Sequence, residues 1–246
     1  MLTVRKLDKK DFATAARYGA EGMHFDWYAH GWGLRLFRWF FFHEMLNKAT
    51  RAWGCYYRGY FQGALLARIE GEAPLYKNPF MSVLVRAVDW LIRHFDIAGM
   101  DDYDKANEDM LSAFIKRRDE QTAQPLNLGT TTNSSGSLQA EAVAGRPPVS
   151  QSSLEDPMRA FSQKPSAEIL FLTANPKGRV HGVGTALLNQ FERAAAGRCA
   201  YLYTDTGCTY SFYERRGFVR EGEKSIEVKH GKSSFTLSCF LYAKQL

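Results

Sequence analysis

The segment from Ala167 to Gly197 constrains the fold of this chain more than any other. Ala167-Glu-Ile-Leu-Phe-Leu-Thr173 reads as a strand. It runs through the glycine-bearing stretch Asn175-Pro-Lys-Gly-Arg-Val-His-Gly-Val-Gly-Thr185 into a helix with Val183, Leu187, Phe191 and Ala194 on one apolar face, ended by Gly197. A strand that feeds directly into a helix start aims several backbone N–H groups at one point, which is an anion cradle. Gly182 and Gly184 lack a Cβ and admit a close backbone approach. Arg179 adds a fixed positive charge, and the helix macrodipole adds about half a charge. These are the requirements of a pyrophosphate. A Walker-type loop would end in Gly-Lys-Ser/Thr, and a dinucleotide fingerprint would place a third glycine where Leu187 stands, so neither nucleotide motif is met.

The rest of the chain supplies a frame for this unit. Residues 3–7 read as a strand, and Asp8 and Asp11 precede a helix carrying Phe12, Ala15 and Ala16. An aromatic loop, His24-Phe-Asp-Trp-Tyr28, leads to a helix over Gly33–Lys48, and residues 52–70 form a hairpin turning at Arg58-Gly59. Apolar residues at 81, 84, 85, 88, 91, 92 and 95 keep a helical period, and a second helix covers Tyr103–Arg117. Residues 121–166 are rich in small and polar residues without periodicity and read as a low-complexity, mobile linker. Downstream, Ala200–Thr204 is a strand, Asp205 or Thr206 caps a helix running through Glu214, and strands close the chain. The expected organisation is a single domain over 1–246, with a core of about 1–73 and 167–246 and a helical insertion over 74–120.

Composition narrows the class. Hydrophobic residues at 45% are too many for a disordered chain. Four cysteines without Cys-x-x-Cys spacing or paired histidines point to reduced thiols in a cytoplasm, not to zinc or a secreted disulfide framework, and no metal is expected. The start of the chain turns polar too soon for a signal peptide. Trp32–Leu46 is shorter than the roughly 20 residues that cross a bilayer, and Arg35, Arg38, His43 and Glu44 interrupt it. The net charge of +6 suits an acidic partner, either nucleic acid or a polyphosphate.

The loop resembles the cofactor motif of the GNAT superfamily of acyl-CoA-dependent N-acetyltransferases, Arg/Gln-x-x-Gly-x-Gly/Ala, with Arg179, Gly182 and Gly184 at the matching positions. A second match is Phe212-Tyr-Glu-Arg-Arg-Gly-Phe218, which is similar to the family's Tyr-x-x-x-Gly-Phe. The resemblance implies an α+β fold: a mixed, mostly antiparallel sheet, splayed between strands 167–173 and 199–204 and flanked by helices. It implies acetyl-CoA, or another acyl-CoA, as acyl donor. Phe171, Leu172 and Thr173 would meet the pantetheine arm, and Arg179, Val180, His181, Gly182, Val183, Gly184 and Thr185 would surround the pyrophosphate. His181 is either a phosphate contact or a solvated loop residue. Thr206 stands where many members carry Asn, so only part of that amide's hydrogen bonding can be replaced.

The reaction implied is direct attack of an amine on the thioester in a ternary complex. Tyr213 would be the donor to the departing thiolate, and Glu168 a candidate base, directly or through water. The acceptor is a small-molecule or protein amine, with Asp26, Trp27 and Tyr28 as its candidate contacts through charge and cation–π attraction, or else as rings packed on the sheet. Cys208 has no histidine and acid tied to it by sequence and is not expected to be a nucleophile. Neither nucleic acid nor a membrane is the expected partner, and the insertion would either close over the acceptor or mediate a homodimer. Two rival readings stand beside the enzyme: a catalytically silent CoA-sensing or nucleic-acid-binding module, and a membrane-surface protein using the Trp39–Phe42 aromatics.

Overall fold

The computed structural model describes all residues except 28, 77–78, 95–99, 124–163 and 231–232. The expected linker at 121–166 falls mainly outside the described residues. Its two ends are ordered elements: helix α4 runs to Ala123, and strand β4 begins at Pro165, two residues earlier than the sequence pattern indicates.

Seven strands form one sheet: β1 (Leu2–Lys6), β2 (Arg51–Tyr57), β3 (Tyr60–Ile69), β4 (Pro165–Ala174), β5 (Cys199–Asp205), β6 (Val219–His230) and β7 (Ser233–Gln245), in the order β1-β2-β3-β4-β5-β7-β6. Among the described residues only β4 and β5 pair in parallel. This is the mixed, mostly antiparallel, helix-flanked sheet expected of a GNAT-type fold. The helices are α1 (Phe12–Gly22), α2 (Gly31–Lys48), α3 (Pro79–His94), α4 (Met100–Ala123), α5 (Val183–Ala194) and the single turn α6 (Ser211–Glu214).

Strand alternation decides which helix covers which side. Trp53, Cys55, Leu65, Ala67, Ala200 and Leu202 face α5, whose buried face is Val183, Leu187, Leu188 and Phe191. Leu188 and Ala195 are buried where the sequence period pointed to Ala194, which is exposed. On the opposite side, Ala52, Ala64 and Leu66 pack under α1 and α2 through Ala15, Ala16, Phe42 and Leu46. The same side of β5–β7 is covered by α4, where Met110 and Phe114 meet Cys199, Tyr201, Leu237 and Leu241. The helices of the insertion are therefore layers of the fold: α4 roofs the second half of the sheet, and α3 packs Val85, Val88 and Ile92 against Phe37 and Phe40 of α2.

That packing uses the aromatic stripe of α2. Phe40 and Phe42 are 1% exposed, and Trp32, at 72%, is the outlying ring. Among the described residues no helix is long and apolar enough to cross a membrane.

Two expected caps are replaced by other bonds. Asp8 makes no side-chain cap bond; it pairs with Arg5 at 2.8 Å, and a 3-10 turn (Lys9–Asp11) intervenes before α1. Asp205 and Thr206 cap no long helix, because α6 is one turn that begins after Tyr210. Asp205 instead accepts a hydrogen bond from the Gly207 N–H at 2.8 Å. The competing local bond won in both cases, as short acidic side chains permit.

Candidate active site

The site begins where β4 and β5 part. Their parallel register runs from Pro165↔Cys199 to Ile169↔Leu202 and stops there. On its other edge β4 pairs with β3 as far as Gly63↔Ala174, but Leu66 faces Phe171 while Ala67 faces Ile169, so Leu170 is one residue too many. Such a bulge resets the alternation and bends the strand. Ile169 consequently packs in the α5 cluster, and Phe171 packs on the α1–α2 side. From Leu170 onward the backbone groups of β4 that face β5 have no strand partner there, which makes a strand edge inside the sheet. Phe171 enters its place because Gly19 on α1 carries no side chain: a Cβ there would lie 2.4 Å from the ring.

Immediately past that edge lies the cradle. The turn after β4 is held by Asn175, whose carbonyl accepts from Gly178 N–H and whose Oδ1 accepts from Lys177 N–H at 3.1 Å. Gly182 precedes α5 with φ +80, and a Cβ there would meet only Leu2 at 3.9 Å, so backbone conformation alone selects glycine. The first N–H of the helix with a helical acceptor is that of Ala186, onto Gly182 O at 2.9 Å. The N–H groups of Val183, Gly184 and Thr185 precede it and are the orphan donors of a helix start. Gly184 faces the Phe212 ring, 3.4 Å from where a Cβ would sit.

A cavity of about 900 Å³ joins this cradle to the β4–β5 split. It is lined by residues 168–176 of β4 and its turn, by 180–185, and by Cys208, Phe212, Tyr213 and Arg215. From the other side of the sheet come Gly19, Phe25 and Phe41 of the α1–α2 layer and Tyr103, Asp104, Asn107 and Glu108 of α4. The cavity thus reaches both faces of the sheet through the gap.

Four groups in it carry chemistry. Tyr213 packs edge-on against Phe212 and Phe218, at 5.3 and 5.9 Å between centroids, and among the described residues its hydroxyl has no hydrogen-bond partner. Burial, with Cys208 adding to it, holds that phenol above its ordinary value. Cys208 itself is pushed up to about 12, first by burial and then by Asp205, so its thiol stays protonated. Asp205 is buried at the end of β5, and burial raises its carboxyl; hydrogen bonds from Gly207, Cys208 and Tyr103 offset that only in part. Glu168 is committed to a network: Arg68 at 2.6 Å and the Tyr201 hydroxyl at 3.2 Å. Tyr201, also bonded by Arg68, is pushed up to about 12 by burial and by Glu168.

Of the residues singled out in the sequence, the structure brings Glu168, Phe171, Leu172, Thr173, Val180, His181, Gly182, Val183, Gly184, Thr185 and Tyr213 to this one cavity. Arg179 is exposed on the turn beside it, outside its lining. The Thr206 hydroxyl accepts from Ser238 N–H at 3.3 Å, tying the loop to β7, and does not line the cavity. Asp26 is exposed, and Trp27 stacks on His24 at 4.7 Å and meets Phe235 edge-on at 5.6 Å; neither lines the cavity, where Phe25 takes that place. Tyr28 lies outside the described residues. Asp205 and the α4 residues are what sequence reasoning missed. Asp205 was visible only as a capping residue, and nothing in the helical period of α4 says which strands it covers.

No protein-family model matches this chain, and no curated protein matches its sequence. Among solved structures, it is similar to a Corynebacterium glutamicum protein described as histone acetyltransferase HPA2 and related acetyltransferase: 15% identity over 99% of this chain and 96% of that one, with a TM-score of 0.48. It is similar to the ribosomal-protein-S18-alanine N-acetyltransferase of Escherichia coli at 9% identity over 100% and 96% of the two chains, TM-score 0.44. It is also similar to Arabidopsis thaliana NAA60, solved with a bisubstrate analogue, at 12% identity over 99% and 98%, TM-score 0.44.

Proposed function

We propose that this protein is a GNAT-type N-acyltransferase that moves an acetyl or other short acyl group from acyl-CoA to a primary amine by direct attack in a ternary complex. The observation that carries the reading is the meeting of three features in one cavity: an open strand edge from Leu170 to Ala174, orphan helix N–H groups at Val183–Thr185, and the Tyr213 hydroxyl, which has no hydrogen-bond partner among the described residues. Each answers one part of an acyl-CoA. The helix start receives the pyrophosphate, with Arg215 in the cavity lining and Arg179 exposed on the turn beside it as the cationic groups. The free edge of β4 pairs with the amide groups of the pantetheine arm as a strand would, and its N–H groups polarise the thioester carbonyl. Tyr213 faces the departing sulfur. Holding amine and thioester together supplies much of the rate, since proximity alone is worth up to about 7–11 kcal/mol in well-oriented systems.

Away from the cradle the cavity is lined by Asp104 and Glu108 of α4 and by Glu44, Lys48 and Arg68, so the α4 carboxylates are the groups that would attract a cationic acceptor.

The direct test is incubation with acetyl-CoA and a panel of primary amines while free thiol is followed. Thiol release that depends on the amine is expected; acetyl-CoA binding without release on any amine would instead leave a silent CoA-binding module. Gly182→Ala separates the cradle from the rest. Forcing a Cβ into φ +80 costs roughly 1–2 kcal/mol, and relaxing that strain turns N–H groups away from the phosphate. The KM for acetyl-CoA should rise by about tenfold with the amine KM unmoved. An unchanged acetyl-CoA KM would remove the phosphates from the start of α5.

A further inference from the structure

We infer that Asp205 is the general base of the transfer, and that it accepts the proton of the acceptor ammonium from the α4 side of the split sheet. The inference rests on the acyltransferase reading and adds the residue that activates the amine. Position carries it. Tyr201, Tyr203 and Asp205 alternate along β5 on the side that α4 covers, while Phe212 and Tyr213 pack with the α5 cluster on the other side. Both groups line the cavity that passes between β4 and β5. A thioester lying in that gap therefore has Tyr213 on the side of its leaving sulfur and Asp205 on the side open to the amine.

The two carboxylates that β4 and β5 bring to the cavity differ in what they are free to do. Glu168 is held by Arg68 at 2.6 Å and by Tyr201, whereas Asp205 has no cationic partner among the described residues. Asp205 has instead four uncharged donors: Gly207 N–H at 2.8 Å, Tyr103 Oη at 3.3 Å, and the thiol and backbone N–H of Cys208. The titratable groups that interact with it are Tyr103 on α4, Cys208 on its own loop and Cys239 on β7, none of them cationic; Asp104 and Glu108 of α4 line the same cavity. Burial in such surroundings makes the carboxylate more basic. Tyr103, from the insertion, is a positioning residue for it.

The step balances. One ammonium proton passes to an Asp205 carboxylate oxygen, and the freed nitrogen lone pair forms a bond to the thioester carbon. The C–S bond breaks with its electrons on sulfur. The second proton, shed by nitrogen as the amide forms, ends on that sulfur through water while Tyr213 donates a hydrogen bond to the sulfur, and Asp205 returns its own proton to solvent.

The test uses two acceptor probes at neutral pH with the full chain: n-butylamine, which is protonated, and O-methylhydroxylamine, which is not. With Asp205→Asn, kcat/KM on butylamine should fall by about 100-fold or more, the lower range for loss of a general base, and on O-methylhydroxylamine by less than about tenfold. Tyr103→Phe should lower the butylamine value several-fold in the same direction. Acetyl-CoA affinity measured by calorimetry should be unchanged in both variants, and the melting temperature of Asp205→Asn should be no lower than that of wild type. The last point follows from linkage: a carboxyl raised by burial favours folding below its unfolded value and disfavours it once pH exceeds the folded one, so an uncharged replacement loses nothing at neutral pH. Equal losses on both probes, or butylamine activity retained by Asp205→Asn, would overturn the assignment. Wild-type protein that binds acetyl-CoA but acylates neither probe would instead remove the transferase reading itself, and the base with it.

Discussion

Replacing Gly63 with alanine is expected to lower the folding stability by about 3 kcal/mol, the upper part of the range for overpacking a well-filled site. Gly33→Ala should raise it by roughly 0.5–1 kcal/mol. Both are glycines inside regular elements, and by propensity alone both substitutions should help. The difference lies in what a Cβ would meet. At Gly63 it would stand 2.4 Å from the carbonyl oxygen of Thr173 and 2.8 Å from Val183 Cγ1; at Gly33 it would meet nothing within 4 Å. A backbone carbonyl cannot swing aside as a side chain can, so β3 must part from β4 or push on the start of α5. Either movement disturbs the two elements that build the cavity, and the acetyl-CoA KM should rise together with the loss of stability. Urea denaturation of the three proteins checks this directly. Equal midpoints for Gly63→Ala and wild type would mean that β3 does not approach β4 this closely.

The same comparison shows how much was legible from sequence. The strand, loop and helix at 165–194 were readable because local signals agree there: an apolar run, glycines at the turn and a 3.6-residue period. The hairpin at Arg58-Gly59 was readable for a similar reason, with both turn residues at positive φ. What could not be read depends on contacts distant in sequence. The bulge at Leu170 leaves no trace in a run of apolar residues, yet it turns Phe171 to the opposite side of the sheet from Ile169. The helices at 79–123 looked like an addition to the core because their helical period says nothing about which strands they roof. Asp205 fits a capping residue by type, and only the docking of α4, more than a hundred residues away, makes it a buried carboxylate touched by Tyr103. At Asp26 and Trp27 the sequence left two readings open, a cation site and rings packed on the sheet. In the fold, Trp27 is used to pack against His24 and Phe235.

Tyr213→Phe should reduce kcat by about 10- to 100-fold while leaving both KM values near those of wild type. The magnitude follows from what a raised phenol can give. A CoA thiol of ordinary acidity, near 8.5, is a stronger acid than Tyr213, whose proton burial binds more tightly than the usual ~10. The phenol therefore does not hand over its proton outright. It donates a hydrogen bond to the charge building on sulfur, worth roughly 1.5–3 kcal/mol to a charged acceptor. That charge exists in the transition state and not in the bound thioester, so the loss falls on kcat. The sign of the pH dependence follows from the same shift. A group whose folded value is raised stays protonated beyond its ordinary range, so Tyr213 remains a donor at neutral and mildly alkaline pH and imposes no alkaline loss of kcat there. The pH profile of kcat for wild type and Tyr213→Phe, with a fast-reacting amine, separates the alternatives. Parallel profiles offset by a constant factor are expected. A wild-type alkaline limb near the thiol range that vanishes in the variant would show that Tyr213 titrates there and acts by full proton transfer, and an unchanged kcat would leave the phenol as a packing group between Phe212 and Phe218.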